Sequence, residues 1–261
     1  MKLSLCTGLL FIAFTSFCQR ELLTFERPLP CLQQKFTIVA NVVQDEAGDW
    51  NVTEQEILDN VAEMNKYFEP ICVSFEVCEF RSVPNYQLDT LEGDEYEQLE
   101  IEQQQAYRIN MFFVQEIANL DIAACGFASL GGIGLYTSGG IVIKKGSCNS
   151  PGTFTHEMGH YLSLKHTFEG NGAELVDGSN CDTAGDLICD TPADNYDPQG
   201  DPSLYVDANC RFINTDLDAN GQFYRPDVGN MMSYYPCKCG FTTGQYLQMA
   251  ERIIATEGKM W

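Results

Sequence analysis

The stretch THEMGHYLSLKHTF, residues 155–168, holds every histidine of the 261-residue chain: His156, His160 and His166. His156 and His160 are four apart, so on an α-helix they stand one above the other on the same face. Glu157 is then held beside whatever the two imidazoles bind. A helix turns about 100° per residue, so His166 points away from the pair if the helix runs on. It joins them only if the helix stops near Ser163 and the chain bends back. A left-handed bend costs a residue with a Cβ roughly 1–2 kcal/mol. Three imidazoles on one metal ion offset that many times over. The helix is therefore expected to end within a residue or two of Ser163.

Two imidazoles at i and i+4 reach one zinc ion at ~2.0–2.1 Å, and a neighbouring Glu is placed to take a proton from water at the open coordination position. An alternative third ligand is a downstream carboxylate, for which Glu174 is the nearest candidate.

HEMGHYLSLKHTF resembles the extended zinc motif of the metzincins, H-E-x-x-H-x-x-G-x-x-H, and within that clan is most similar to the pappalysin/cytophagalysin (M43-type) group. GGIVIKKGSCNSPGTFTHEMGH (139–160) is similar to that group's strand-loop-helix approach to the metal, and CDTPADN (189–195) to its DTP segment. NMMSYY (230–235) followed by FTTGQYLQM (241–249) looks like its Met-turn and terminal helix. The resemblance runs from about residue 36 to the C-terminus. It implies one catalytic zinc held by His156, His160 and His166, with Glu157 as general base and acid. Met232 would be the Met-turn methionine packed under the metal. Tyr234 would face the site and interact with the metal or hydrogen-bond the oxyanion, although a core tyrosine is an equal reading of that residue. Relatives in the group bind calcium in the following loop, which makes Asp177, Asp182, Asp186 and Asp190 candidate calcium ligands; a solvated acidic loop is the alternative. Two departures stand out. Ser163 replaces the usual glycine, and CKC (237–239) lies close to FTTGQ, which leaves open which cysteine takes the group's disulfide role.

Residues 1–18, MKLSLCTGLLFIAFTSFC, place Lys2 before an apolar run from Leu9 to Phe14, the layout of a secretory signal peptide cleaved after Cys18. The run is shorter than the ~20 apolar residues of a membrane span, and no later segment is long or apolar enough. The mature chain is expected to be exported and soluble, with no membrane span. Of twelve cysteines, ten lie beyond the leader, an even number that favours disulfides in an exported chain. The net charge of −22 excludes nucleic acid and anionic membranes, which reward clusters of Lys and Arg. The same acidity hints at basic side chains in the substrate.

The elements read as α+β. KFTIVANVVQ (35–44) is a β-branched strand, and Thr53 with Glu56 forms a capping box ahead of a helix that buries Ile57, Val61, Met64 and Phe68. Further strands are read at 72–80, 107–117 and 139–145, the last (GGIVIKK) as the edge strand against which an extended substrate would lie. A helix is read at 154–164, mostly loop from 170 to 226, and a helix from 244 to about 255 with Leu247, Ala250 and Ile254 on one face. With the resemblance, this gives a metzincin-like domain: a twisted mixed sheet with backing and active-site helices above the cleft, and a loop-rich lower half with the Met-turn and C-terminal helix. The expected organisation is a signal peptide (1–18), a short N-terminal segment or remnant propeptide (19–34), and a catalytic domain (35–261) of upper (35–166) and lower (167–261) subdomains. Cys31 is available to block the metal but is expected in a disulfide. The function expected is that of a monomeric, secreted zinc endopeptidase acting on proteins or peptides through a zinc-bound water activated by Glu157. The alternative is a non-catalytic zinc- or calcium-binding protein on the same fold, against which the intact Glu157 argues.

Overall fold

The computed structural model describes residues 28–118, 124–256 and 259; the proposed signal peptide lies outside them. A five-stranded sheet organises the first half of the chain. Strands β1 (Gln34–Val43), β2 (Val73–Val83), β4 (Ile109–Val114) and β7 (Ile141–Lys144) run parallel, and β6 (Gly126–Ala128) closes one edge antiparallel to β7, in the order β2-β1-β4-β7-β6. Two short strands, β3 (Thr90–Leu91) and β5 (Glu116–Ile117), pair apart from it.

Alternation along the strands sorts the apolar side chains to two faces. Ile38, Ala40, Val42, Met111, Phe113, Ile141 and Ile143 join the main core with the helices α1 (Glu54–Phe68) and α3 (Pro151–Tyr161). Val43, Phe112, Val114 and Val142 face the other way, onto Leu99 of α2 (Glu95–Gln103), onto Leu88, and onto Leu91 of β3. A mostly parallel sheet must be covered on both sides, and the wholly buried INMFFV of β4 meets that requirement. Thr53 caps α1 as the sequence predicts, with Glu56 answering in a complete capping box.

Three expectations need correction. GGIVIKK is not an edge strand: Ile141–Lys144 is flanked by β4 and β6, and the edge belongs to Gly126–Ala128, a strand too short to leave a periodic signature. On α4 (Thr243–Ile254) the buried stripe is Tyr246, Met249, Ala250 and Ile253, while Leu247 is half-buried and Ile254 is 61% exposed. The stripe starts one residue earlier than the sequence suggests. The cysteines also do not all pair. Cys31–Cys72, Cys125–Cys148, Cys181–Cys189 and Cys210–Cys237 are disulfides, which removes Cys31 as a metal-blocking thiol. Cys78 is a free, exposed thiol. It is the extra residue where the register of β1 and β2 shifts, and its Sγ contacts the Ile38 carbonyl.

The Cys31–Cys72 bridge spans 41 residues and the Cys181–Cys189 bridge only 8. Loop-closure entropy then predicts a loss of about 4 kcal/mol on replacing the first pair by alanine and about 2.5 kcal/mol for the second. Denaturant unfolding of the two double variants checks the order.

Candidate active site

Helix α3 carries the first two histidines and the glutamate. Ser150 caps its start by accepting from the Thr153 N–H, and Pro151 fills the first turn, where no amide donor is needed. The helix ends at Tyr161, as the sequence demands. Ser163 is left-handed at φ 80°; its N–H donates to the His160 carbonyl at 2.8 Å, and the Leu164 N–H donates to the Gly159 carbonyl at 2.9 Å. This is a Schellman ending, usually built on glycine. Helix α4 braces it, because Gln248 Nε2 donates to the Ser163 carbonyl at 2.7 Å.

The reversal brings His166 back to the other two. Its Nε2 lies 3.2 Å from His156 Nε2 and 3.0 Å from His160 Nε2. Corners of a tetrahedral zinc site with ~2.0–2.1 Å bonds are about 3.3 Å apart, so both spacings suit that ion, and all three donor atoms lie within 4.8 Å of one another. The opposite nitrogens of the first two rings are tethered: His156 Nδ1 to the Met231 carbonyl at 2.8 Å and His160 Nδ1 to the Leu164 carbonyl at 2.7 Å. Such tethers fix the tautomer and leave the Nε2 lone pairs for a metal. Burial holds all three imidazoles below their ordinary range, His160 at about 4. They are neutral donors.

The floor of the site is the turn at residues 230–235, the segment read from the sequence as a Met-turn. Met232 is fully buried, and its Sδ packs against Gly159, where an added Cβ would come within 2.5 Å of it. Asn230 holds the turn: its Oδ1 accepts from the Met232 N–H at 2.9 Å, and its side chain exchanges two hydrogen bonds with Gln245. Gln245 is also the capping-box residue of α4. Asp194 adds a second tie, accepting from Thr167 Oγ1 and Tyr235 Oη, both at 2.7 Å. The third histidine's segment is thereby joined to the Met-turn.

Glu157 is buried, its Oε2 has no hydrogen-bond partner, and burial pushes the carboxyl up to about 8. It lines two adjoining cavities, of about 730 and 360 Å³, which also share His156, Tyr234 and Gly126 of the edge strand. A Cβ on Gly126 would meet Val142 O at 2.5 Å and Glu157 Cγ at 3.1 Å, so only glycine leaves that approach open. The Tyr234 ring lies 4.8 Å from that of His166 and 5.8 Å from that of His156. The sequence reading missed Lys238, which also lines the larger cavity; its Nζ lies 3.3 Å from His156 Nδ1, and burial brings it down to about 8. CKC had drawn notice for its cysteines, not for the lysine between them.

Glu174 does not join the histidines. It is buried, and its carboxyl is pushed up to about 7 by burial and by Asp186 and Asp194. The candidate calcium ligands do not gather either. Among the described residues, the three histidines form the one group of His, Cys, Asp or Glu close enough to share an ion. Asp177 accepts from the Ser179 N–H, Asp186 from the Ile188 N–H and Asp190 from the Gly244 N–H, while Asp182 is exposed. Calcium finds no support in this arrangement.

Comparison with known proteins decides the family. The chain matches the peptidase M43 family, described as pregnancy-associated plasma protein-A, over residues 103–254. It belongs to this family of metzincin metalloproteases. Among curated relatives, an extracellular metalloprotease of Colletotrichum graminicola is 30% identical over 166 residues, 58% of this chain and 54% of that protein. One from Aspergillus fumigatus is 34% identical over 105 residues, 40% of this chain and 27% of its own length. The chain thus spans about half or less of these relatives. Mature mirolysin of Tannerella forsythia, solved with a cleaved peptide, superposes with a TM-score of 0.58 at 18% identity, covering 82% of this chain and 89% of that one. At that identity the likeness is one of fold, and it agrees with the mixed metzincin-like sheet described above.

Two substitutions test how this M43 site is built. Ser163→Gly relieves the left-handed cost but gains glycine's unfolded-state entropy, so a net stabilisation of about 0.5–1 kcal/mol is expected in thermal unfolding. Gly159→Ala forces Met232 out of a filled site; a loss of about 1–3 kcal/mol is expected, together with weaker metal retention on dialysis.

Proposed function

We propose that this chain is a secreted zinc endopeptidase. What carries the reading is the pairing of three neutral, tethered imidazoles with an unpartnered, buried glutamate at the junction of two cavities. A purely structural zinc site closes with a fourth protein ligand and has no use for such a glutamate. His156, His160 and His166 would hold the ion. When bound, zinc supplies Lewis acidity, lowering the pKa of water and polarising a carbonyl.

The rest falls to the chain's own groups. The substrate would extend along the edge strand Gly126–Ala128, adding to the sheet by backbone hydrogen bonds. Glu157, raised by burial, would accept a proton from the attacking water and return it to the leaving amine. Tyr234 would offer its hydroxyl to the oxyanion, and Met232 would keep the histidines from below. The cleft would separate an upper subdomain, 35–166, from a lower one, 167–261. Export is supported by the disulfides and by relatives named as extracellular; among the described residues no helix is long and apolar enough to cross a membrane. We take the protein to act as a monomer on protein or peptide substrates.

A zinc chelator should abolish cleavage of a diverse peptide library, and added zinc should restore it. Glu157→Gln should keep one zinc per chain by elemental analysis while kcat/KM falls by at least about 10²-fold. Substantial activity in that variant would remove Glu157 from its assigned role.

A further inference from the structure

The larger cavity of the cleft opens beside Glu157, between Gly126 of the edge strand, Tyr234 of the Met-turn and the loop at Tyr196 and Gln199. Among the described residues, the charged side chains lining it are Glu157 and Lys238. Glu157 is reserved for proton transfer, so Lys238 is left to meet a charge on the substrate. The nearby loop carboxylates face their own backbone: Asp197 Oδ1 accepts from the Gln199 N–H at 3.0 Å, and Asp201 Oδ1 from the Ser203 N–H at 2.8 Å. Neither lines the cavity.

The backbone on either side of Lys238 is tethered, and its Nζ has no carboxylate acceptor. Its neighbour Cys237 is bonded to Cys210, and the Cys239 N–H donates to the Gly229 carbonyl at 2.7 Å. Among the described residues no carboxylate lies within ion-pair distance of Nζ; its polar neighbour, His156 Nδ1, is already engaged by the Met231 carbonyl. Glu157 attracts the ammonium across the cavity without forming an ion pair. A mostly buried ammonium with no contacting anion is costly, and a carboxylate brought to it forms a charge-assisted hydrogen bond.

We propose that this cavity selects an acidic side chain, Asp or Glu, directly beside the scissile bond, with Lys238 as the residue that selects it. The inference rests on the peptidase reading above and names its substrate class. It reverses the expectation of basic substrates drawn from the net charge of −22. Charges on the outer surface are screened beyond about 8 Å at physiological ionic strength, whereas Lys238 touches the bound side chain. A basic side chain there would meet like charge at close range.

The test is kcat/KM for a peptide series that differs only in Glu, Ala or Lys at each position flanking the cut bond. Wild-type protein should prefer Glu over Lys by about 10-fold or more at one fixed position. Lys238→Met should abolish that ratio, and Lys238→Glu should invert it. Equal rates for Glu and Lys in the wild type overturn the proposal. So does a Lys238→Met variant that slows all peptides in proportion, since that would place Lys238 at the reacting centre. Calorimetric binding of the same peptides to zinc-loaded Glu157→Gln protein reads the pocket without catalysis. If the wild type cuts nothing while this variant still ranks Glu above Lys, the peptidase reading fails and the pocket assignment stands; binding with no such ranking overturns the pocket assignment.

Discussion

Everything at this site depends on a helix that stops on time. Had α3 continued past Tyr161, His166 would have been carried away from His156 and His160. The stop is enforced by the left-handed Ser163, by the two Schellman hydrogen bonds to the His160 and Gly159 carbonyls, and by Gln248 reaching over from α4. A serine in that conformation is strained, and the strain is held by structure on both sides. Local backbone geometry thereby brings the His166 nitrogen to about 3 Å from each of the other two.

The second support comes from far along the chain. The Met231 carbonyl orients His156 across 75 residues of sequence, and Met232 fills the space under Gly159. That turn is held by Asn230 and Gln245, and Gln245 also caps α4. One amide pair therefore links the start of the last helix, the Met-turn and the first histidine. The Glu157 Oε2 stays without a hydrogen bond amid this dense bonding, which suits the proton-transfer role proposed for it.

Much of this was legible in the sequence where the signal is local. The H-x3-H-x5-H spacing demanded the break at Ser163, and the Thr53–Glu56 pair announced α1. Features that depend on distant partners were not. The edge strand Gly126–Ala128 is defined by its pairing with β7, and three residues carry no period. The buried stripe of α4 is set by what it packs against, so the sequence placed it one residue late. Cys78 lies at a register shift in β2, which a cysteine count does not reveal. Lys238 acquires meaning only when the fold turns it into the cavity beside Glu157, and acidic loop residues that resembled a calcium site turn to backbone amides instead.

On the proposed function, three histidines gathered by a broken helix hold one zinc ion and leave a position open. X-ray absorption at the zinc edge of the purified protein measures this directly. Three imidazole nitrogens and one light oxygen donor at about 2.0–2.1 Å are expected, with His166→Ala losing the ion. A sulfur in the shell, a fourth protein ligand closing it, or full zinc occupancy without His166 would contradict the claim.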